Sequence, residues 1–493
     1  MRKISTGFLP LITLDRKSAK PLHLQIYEQV RAAITSGNLK AHQQLPSTRA
    51  LASELRVSRI TALNAFAQLA AEGYLETHRG GGTYVCGALP DAPPEGNPKA
   101  NPAKRLGPRH ISKRSADIPR FQPTPWLFGR GAFAVGQVAL DQFPIAAWSR
   151  LFASHTRNIR ASSMYFSDPL GNLDFRATIA AYLRTVRGVN CDPEQIMIVS
   201  GSQQAIEIAT RVLLDPGDSV WVEEPGYRLA RNVVIMSNCR LVPVPVDEEG
   251  LNVEAGIEMC PDARVAMVTP SHQFPTGVTL SSSRRLQLLE WAERSGGWII
   301  EDDYDSEYIY EGSPILSLQG LDTNARVIYI GTFSKTLFPS LRVGYVVIPK
   351  DLVEHFVAVR VSMDVNPPYI VQAVLTDFMN EGHYSRHIRR MRMTYSERRK
   401  LLVHSIKKEV NGHYRLEGAN AGLHLLLTLP PGLSDKAVTK AAEAQCLWVW
   451  PLSPLYSREP AKQGLVLGFG SVSKERILPA VRKMRSVLET LSG

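Results

Sequence analysis

The chain has 493 residues, 44% hydrophobic and 21% charged, which is too long for one ordinary domain and is the composition of a globular protein of two or three domains. No apolar run approaches the roughly 18 residues that span a bilayer, and Met1-Arg-Lys-Ile-Ser-Thr-Gly lacks a signal peptide's apolar core, so a cytoplasmic protein without membrane contact is expected. Five scattered cysteines without C-x-x-C spacing imply neither a disulfide framework nor a zinc site, while the net charge of +11 is concentrated at one end: residues 1–125 hold 18 Lys and Arg against 8 Asp and Glu, a bias that a phosphate backbone selects for.

In Pro21 to Ile34, Leu22, Ile26, Val30 and Ile34 recur at four-residue spacing and predict a first helix. A short amphipathic segment from Ser47 to Leu55 predicts a second, and Ser58 is a good N-cap for a third that runs to about Glu72 and stops at Gly73. Ala62, Leu63, Phe66, Leu69 and Ala70 are its expected core stripe, with Arg59, Thr61, Asn64 and Gln68 outside. Two short strands, Tyr74–Thr77 and Gly82–Val85, flank His78-Arg79-Gly80-Gly81. The order is that of a winged helix-turn-helix. Such a module reads base edges from the start of its third helix, which nominates Arg59, Thr61 and Asn64; Arg49 can reach phosphate, and Arg79 and Gly81 can bring the wing tip to the minor groove.

Residues 87–125 contain nine prolines and little apolar periodicity, as in an extended tether. Beyond residue 140, strands at Gln195–Val199, Ser219–Val222, Val265–Val268, Trp298–Ile300, Val327–Ile330 and Val343–Ile348 alternate with amphipathic helices such as Arg284–Glu293, the pattern of a mainly parallel sheet with helices on both faces. The last hundred-odd residues, with strands at Leu423–Leu427 and Leu465–Phe469, read as a smaller α+β domain. The expected division is 15–86, 87–125, 126–375 and 376–493.

The sharpest chemical signal lies in the large domain, where Lys335 follows Asp302 by 33 residues and Arg342 comes soon after. An aldehyde cofactor such as pyridoxal 5′-phosphate needs an amine to hold it as an imine, a cation for its phosphate and a carboxylate to keep its pyridine nitrogen protonated. Lys335, Arg342 and Asp302 are those residue types. Ser200-Gly-Ser-Gln203 turns from a strand end into a helix N-terminus, where free N–H groups favour phosphate and Ser202 and Gln203 are the candidate ligands. Tyr227, in a loop after a second strand, either stacks on a flat ring or simply packs. Glu301 and Asp303 leave open an acidic edge or a metal site, although no histidine adjoins them in sequence.

Leu45-Pro-Ser-Thr-Arg-Ala-Leu-Ala52, Val57-Ser-Arg-Ile-Thr61, Glu72-Gly-Tyr-Leu75 and Gly81-Gly-Thr-Tyr-Val85 resemble the GntR family of winged-helix bacterial regulators. Tyr165, Gly171, Gly201-Ser-Gln203, Pro275-Thr-Gly277, Asp302, Ser334-Lys335 and Arg342-Val-Gly-Tyr345 resemble fold-type I pyridoxal-phosphate aminotransferases. Joined, they are similar to the MocR/GabR family of transcriptional regulators. The resemblance implies a multidomain chain: an α+β winged helix, an α/β transferase-like large domain and a smaller α+β domain. It further implies pyridoxal phosphate on Lys335, Asp302 at the pyridine nitrogen, Tyr304 at the ring hydroxyl and Tyr227 stacked on the ring. Ser202, Gln203 and Arg342 would hold the phosphate, and Tyr165 would reach in from a second subunit of a homodimer. The expected partners are double-stranded operator DNA and an amine or amino acid effector; a working aminotransferase and a purely dimerising scaffold are the alternatives. Phe274 stands where many aminotransferases have a ring-binding asparagine, and Leu465–Phe469 lacks the arginine that clamps a substrate carboxylate.

Overall fold

The computed structural model describes residues 12–78, 82–87, 131–311, 316–410, 414–418 and 420–492, with a few isolated positions at 111–118 and 412. It forms two compact units, 1–110 and 111–493.

In the first unit, helices α1 (Leu22–Thr35), α2 (Thr48–Glu54) and α3 (Arg59–Ala71) precede a hairpin of β2 (Leu75–His78) and β3 (Gly82–Val85). Ser47 and Ser58 are N-caps whose hydroxyls accept from the Ala50 and Thr61 N–H groups, satisfying donors that a helix start leaves orphaned. The expected stripe on α1 is observed, with Ile26, Val30 and Ile34 fully buried. On α3 the buried residues are Ala62, Ala65, Phe66 and Leu69, whereas Leu63 is 50% exposed and Ala70 is also exposed. That corrects the predicted stripe: positions i, i+3, i+4 and i+7 from Ala62 share a face, and Leu63 and Ala70 lie beside it. A short strand absent from the sequence reading, β1 (Gln44–Leu45), pairs with β3 and makes the wing a three-stranded sheet.

The second unit is built on an eight-stranded mixed sheet of β4 (Ile196–Val199), β5 (Ser219–Glu224), β6 (Arg240–Asp247), β7 (Gly250–Leu251), β8 (Val265–Val268), β9 (Trp298–Asp303), β10 (Val327–Thr332) and β11 (Gly344–Val347). Their order is β4-β11-β10-β9-β8-β5-β6-β7, with β10, β9, β8, β5 and β6 mutually parallel. β6 escaped the sequence reading because Pro243 and Pro245 interrupt its pattern. Alternate residues enter different cores: Ile196, Ile198, Tyr329, Tyr345 and Val347 pack on one side, and Met197, Val199, Ile328, Ile330 and Val346 on the other. Helices therefore cover both faces.

A second sheet, antiparallel throughout, has the order β12 (Arg415–Glu417), β13 (His424–Thr428), β15 (Gly464–Gly468), β14 (Trp450–Pro451). Leu425, Leu427, Leu465 and Leu467 face helices His383–Glu409 and Lys474–Ser492, whereas Leu426 and Val466 turn the other way, onto Phe274, Leu452 and Val135. This second face closes against the carboxyl end of the large sheet.

Candidate functional site

Three successive acids end β9, and the strand's alternation separates their duties. Glu301 accepts from the N–H groups of Leu318 (2.9 Å) and Gln319 (3.0 Å) at the start of a short helix. Asp303 pairs with Arg187 at 2.8 Å and accepts from the Tyr329 hydroxyl at 2.6 Å. Both are therefore committed to the scaffold. Asp302 points the other way, into a cavity shared with Glu223, Tyr227, Arg231 and Thr269, and its buried Oδ1 has no hydrogen-bond partner. Burial is the main reason its carboxyl is pushed up to about 7, with Asp303, Glu223 and Asp305 adding to the shift and Lys335 opposing it. A carboxylate so placed calls for a cationic N–H.

Lys335 follows β10, the neighbour of β9, with Ile330 opposite Asp302 in register. Its Nζ donates to the Gly136 carbonyl at 3.1 Å. A Cβ at Gly136 would come within 2.8 Å of that nitrogen, so a side chain there would crowd the amine. Burial lowers the Lys335 pKa and Arg342 lowers it further, against the pull of Asp305 and Asp302. A lysine so placed sheds its proton more readily than one in water, which is what a nucleophilic amine requires.

Gly201, at φ 103°, is the N-cap of helix Ser202–Leu213, and no side chain caps it. A Cβ there would meet the Arg342 guanidinium at 3.1 Å, so glycine lets the arginine approach the helix start. Open helical N–H groups beside a guanidinium make an anion site. Ser202 stands at that start; the neighbouring Gln203 gives its amide N–H to the Leu229 carbonyl at 2.9 Å and keeps a buried, unpartnered Oε1. The Ser334 hydroxyl is likewise buried without a partner.

Tyr227 lines the cavity with Asp302 and meets Phe274 edge-on at 5.9 Å. Tyr304 donates to the His272 carbonyl at 2.8 Å, and burial together with the surrounding carboxylates holds its pKa well above the ordinary value. It is thus a neutral phenol whose proton is already engaged. Tyr165 lies away from this set, 78% exposed between the exposed Met164 and Phe166. Arg458 is exposed, and its backbone N–H is bonded to Glu224. The sequence reading missed Glu223, which accepts from Thr269 and Gln273 and is pushed up to about 7 by burial. It also missed His272, Asp305 and His424, which come from separate segments with no common spacing.

The residues present fit pyridoxal phosphate on this structure's own terms: a buried carboxylate oxygen without a partner suits a ring N–H, an arginine beside an uncapped helix suits a phosphate, and a buried lysine interacts electrostatically with both residues.

On the first unit, Arg59 and Asn64 are exposed on α3 and Arg49 on α2. Thr61 is half-buried and its hydroxyl is 2.8 Å from that of Ser58, so it belongs to the helix cap. Ile60, 68% exposed, and Leu63 join Arg59 and Asn64 on the open surface. Arg79 and Gly81 lie outside the described residues, as does nearly all of 87–125. Among the described residues no helix is long and apolar enough to cross a membrane.

Residues 133–461 match the family model for aminotransferase class I and II, and residues 22–85 match that for bacterial regulatory proteins of the gntR family. The chain is 39% identical over 486 residues to the probable rhizopine catabolism regulatory protein MocR of Rhizobium meliloti, covering 98% of this chain and 97% of that one. It is 32% identical to the pyridoxine biosynthesis transcriptional regulator PdxR of Corynebacterium glutamicum, over 94% of this chain and 96% of the relative. Among solved structures, the alpha-aminoadipate aminotransferase LysN of Thermus thermophilus, complexed with N-(5′-phosphopyridoxyl)-L-leucine, superposes with a TM-score of 0.72 at 27% identity, covering 78% of this chain and 98% of LysN.

Proposed function

This chain belongs to the MocR-type transcriptional regulators, in which a gntR-family winged helix is joined to an aminotransferase class I and II domain, and from that premise we propose that it binds operator DNA with its first unit and carries pyridoxal 5′-phosphate in its second as the receptor for an amine, an amino acid or the cofactor itself. The observation that carries this reading is the unpartnered Asp302 carboxylate, acted on electrostatically by Lys335, in a chain that also presents an exposed, arginine-bearing recognition helix.

When bound, the cofactor supplies an aldehyde carbon that a primary amine can capture. The residues of the chain do the rest. Asp302 holds a proton at the ring nitrogen, and that positive charge relieves the cost of burying the carboxylate. Arg342, Ser202 and the N–H groups of the helix that starts there hold the phosphate, with Gln203 beside them. Tyr227 covers the ring face. Lys335 would provide the covalent attachment, and as a free amine it donates to the Gly136 carbonyl at 3.1 Å. Tyr304 meets a ring oxygen as an acceptor, or as a donor once it leaves the His272 carbonyl.

On DNA, Arg59 and Asn64 have the chemistry to read guanine and adenine edges, and Ile60 and Leu63 can meet thymine methyl groups. Arg49 positions the unit on phosphate. The exposed Met164-Tyr165-Phe166 run favours a homodimer in which Tyr165 meets the partner's pocket. A DNA-bound regulator of this kind works in the cytoplasm.

The names of the two relatives point to different effectors, so the test uses a panel of amines together with pyridoxal phosphate. Coupling between sites is reciprocal: operator DNA must shift effector affinity by the factor through which effector shifts operator affinity. Equilibrium titrations of full-length protein should return equal factors. Effector affinity unchanged by operator rules out control of DNA affinity, and accumulation of 2-oxo acid at enzyme-like rates would establish the aminotransferase reading instead.

A further inference from the structure

His272, Asp305 and His424 meet inside the second unit, 1%, 1% and 3% exposed. They arrive from three places: the loop after β8, the loop after β9, and the first residue of β13. One ligand-capable atom from each lies within 4.8 Å of those of the other two. His272 Nδ1 is 3.1 Å from Asp305 Oδ2, and the two imidazole rings are 4.6 Å apart. The close approach is built into the chain. Gly422, at φ 69°, has no room for a side chain, because a Cβ would come within 2.1 Å of the His272 ring and 2.6 Å of Asp305 Oδ2.

Three side-chain atoms of this cluster are left over: His272 Nε2, Asp305 Oδ1 and His424 Nε2 are all buried without hydrogen-bond partners. Buried polar atoms are seldom left so, and three in one place call for a ligand that answers all of them. An anion is disfavoured by Asp305. Two imidazole nitrogens and a carboxylate oxygen are instead the donor set of a first-row divalent metal, with a position left open for water.

We propose that His272, Asp305 and His424 bind one divalent transition-metal ion of the zinc class. None of the three is among the residues placed around pyridoxal phosphate, and the site borders that pocket through His272, whose Nδ1 is 3.2 Å from the Tyr304 hydroxyl. His272 and Asp305 stand on loops of the large sheet and His424 on the small one. The ion would therefore bridge the two layers beside Lys335.

The experiment uses full-length, cofactor-loaded protein stripped of metal by a chelator and titrated with Co2+, whose visible d–d bands report coordination, followed by competition with Zn2+. One ion per chain is expected, with bands of the intensity that low-coordinate cobalt gives. His272→Gln and His424→Gln should each weaken it by about 100-fold or more, beyond the roughly 10- to 100-fold that losing an outer partner costs. The cofactor's absorption at Lys335 in those variants checks that the pocket is intact. Asp305→Asn, nearly isosteric, serves if a histidine variant does not fold, and X-ray absorption of the zinc-loaded wild type must show imidazole ligands. No stoichiometric uptake by the wild type, uptake unchanged in the variants, or a spectrum without imidazole would overturn the site and leave it to ordered water. The effector reading is independent of this result.

Discussion

Replacing Asp302 with asparagine isolates the electrostatic design of the pocket, because it removes the charge and keeps the shape. In the cofactor-free protein the Asp302 carboxyl is pushed up to about 7, chiefly by burial, against about 3.9 in an unfolded chain. Its folded-state pKa is raised, so its cost is absent below about pH 4, grows as pH rises, and is complete above about 7. Between about pH 5.5 and 7 the unfolded chain has lost this proton and the folded one keeps it, so stability falls by about 1.4 kcal/mol per pH unit, or about 2 kcal/mol over that interval. The asparagine variant has no such charge to bury. Urea denaturation of cofactor-free wild type and Asp302→Asn, followed by tryptophan fluorescence at about pH 5.5 and about pH 8, should show the variant gaining about 2 kcal/mol relative to wild type at the higher pH. Saturating pyridoxal phosphate should reverse the order, since a charged hydrogen bond contributes about 1.5–3 kcal/mol, roughly 10- to 100-fold in cofactor affinity. A stability difference that does not change with pH, or equal cofactor affinity in the two proteins, would refute the assignment of Asp302 as the ring-nitrogen partner.

Lys335→Ala should abolish covalent attachment of the cofactor, read as loss of the borohydride-reducible pyridoxyl adduct by mass spectrometry; an adduct that persists sinks the role of this lysine. Arg59→Ala should cost about 1–3 kcal/mol and relax specificity at one operator position, whereas Arg49→Ala should weaken all sequences alike and reduce the salt slope by about one; footprinting and salt titrations separate the two, and equal sequence-independent losses reject the division. Asp303→Ala strands Arg187 in the interior, where the pair is now only 1–3% exposed, and should destabilise the second unit by about 3–5 kcal/mol; a loss confined to cofactor binding would mean that Asp303, and not Asp302, faces the ring.

Much of this molecule is legible in the sequence wherever function depends on local order. The α1 stripe, the serine cap at Ser58, and the alternation of strands with helices are written in spacings shorter than one element, and each is found where it is expected. Lys335 and Asp302 can be nominated because each sits at the end of a recognisable strand. What the acids around Asp302 do is not legible. Glu301, Asp302 and Asp303 are equivalent as residue types, and only the pleat of β9, with a helix start on one side of the sheet and a cavity on the other, assigns two to structure and leaves one free. The histidines are further out of reach, since His272 and His424 share no element with Asp305 and meet only because the small sheet folds back on the large one.

The one clear misreading on α3 is instructive for a physical reason. Apolar character alone assigns Leu63 to the core, yet the periodicity of Ala62, Ala65, Phe66 and Leu69 places it outside, next to Ile60 and Asn64. Two large aliphatic side chains on the open face of a short helix add nothing to the core, and in the proposed complex with DNA they would be covered. The major groove offers such a surface in thymine methyl groups, whose position relative to the polar base edges that Arg59 and Asn64 can read is fixed by sequence. The failure of core patterning therefore bears on the proposed readout: Ile60 and Leu63 share the exposed face of α3 with Arg59 and Asn64. Substituting either with alanine should relax discrimination at thymine-bearing operator positions while leaving the stability of the first unit nearly unchanged, and binding-site selection against thermal unfolding tests both halves. A large loss of stability would return Leu63 to the core and remove the argument.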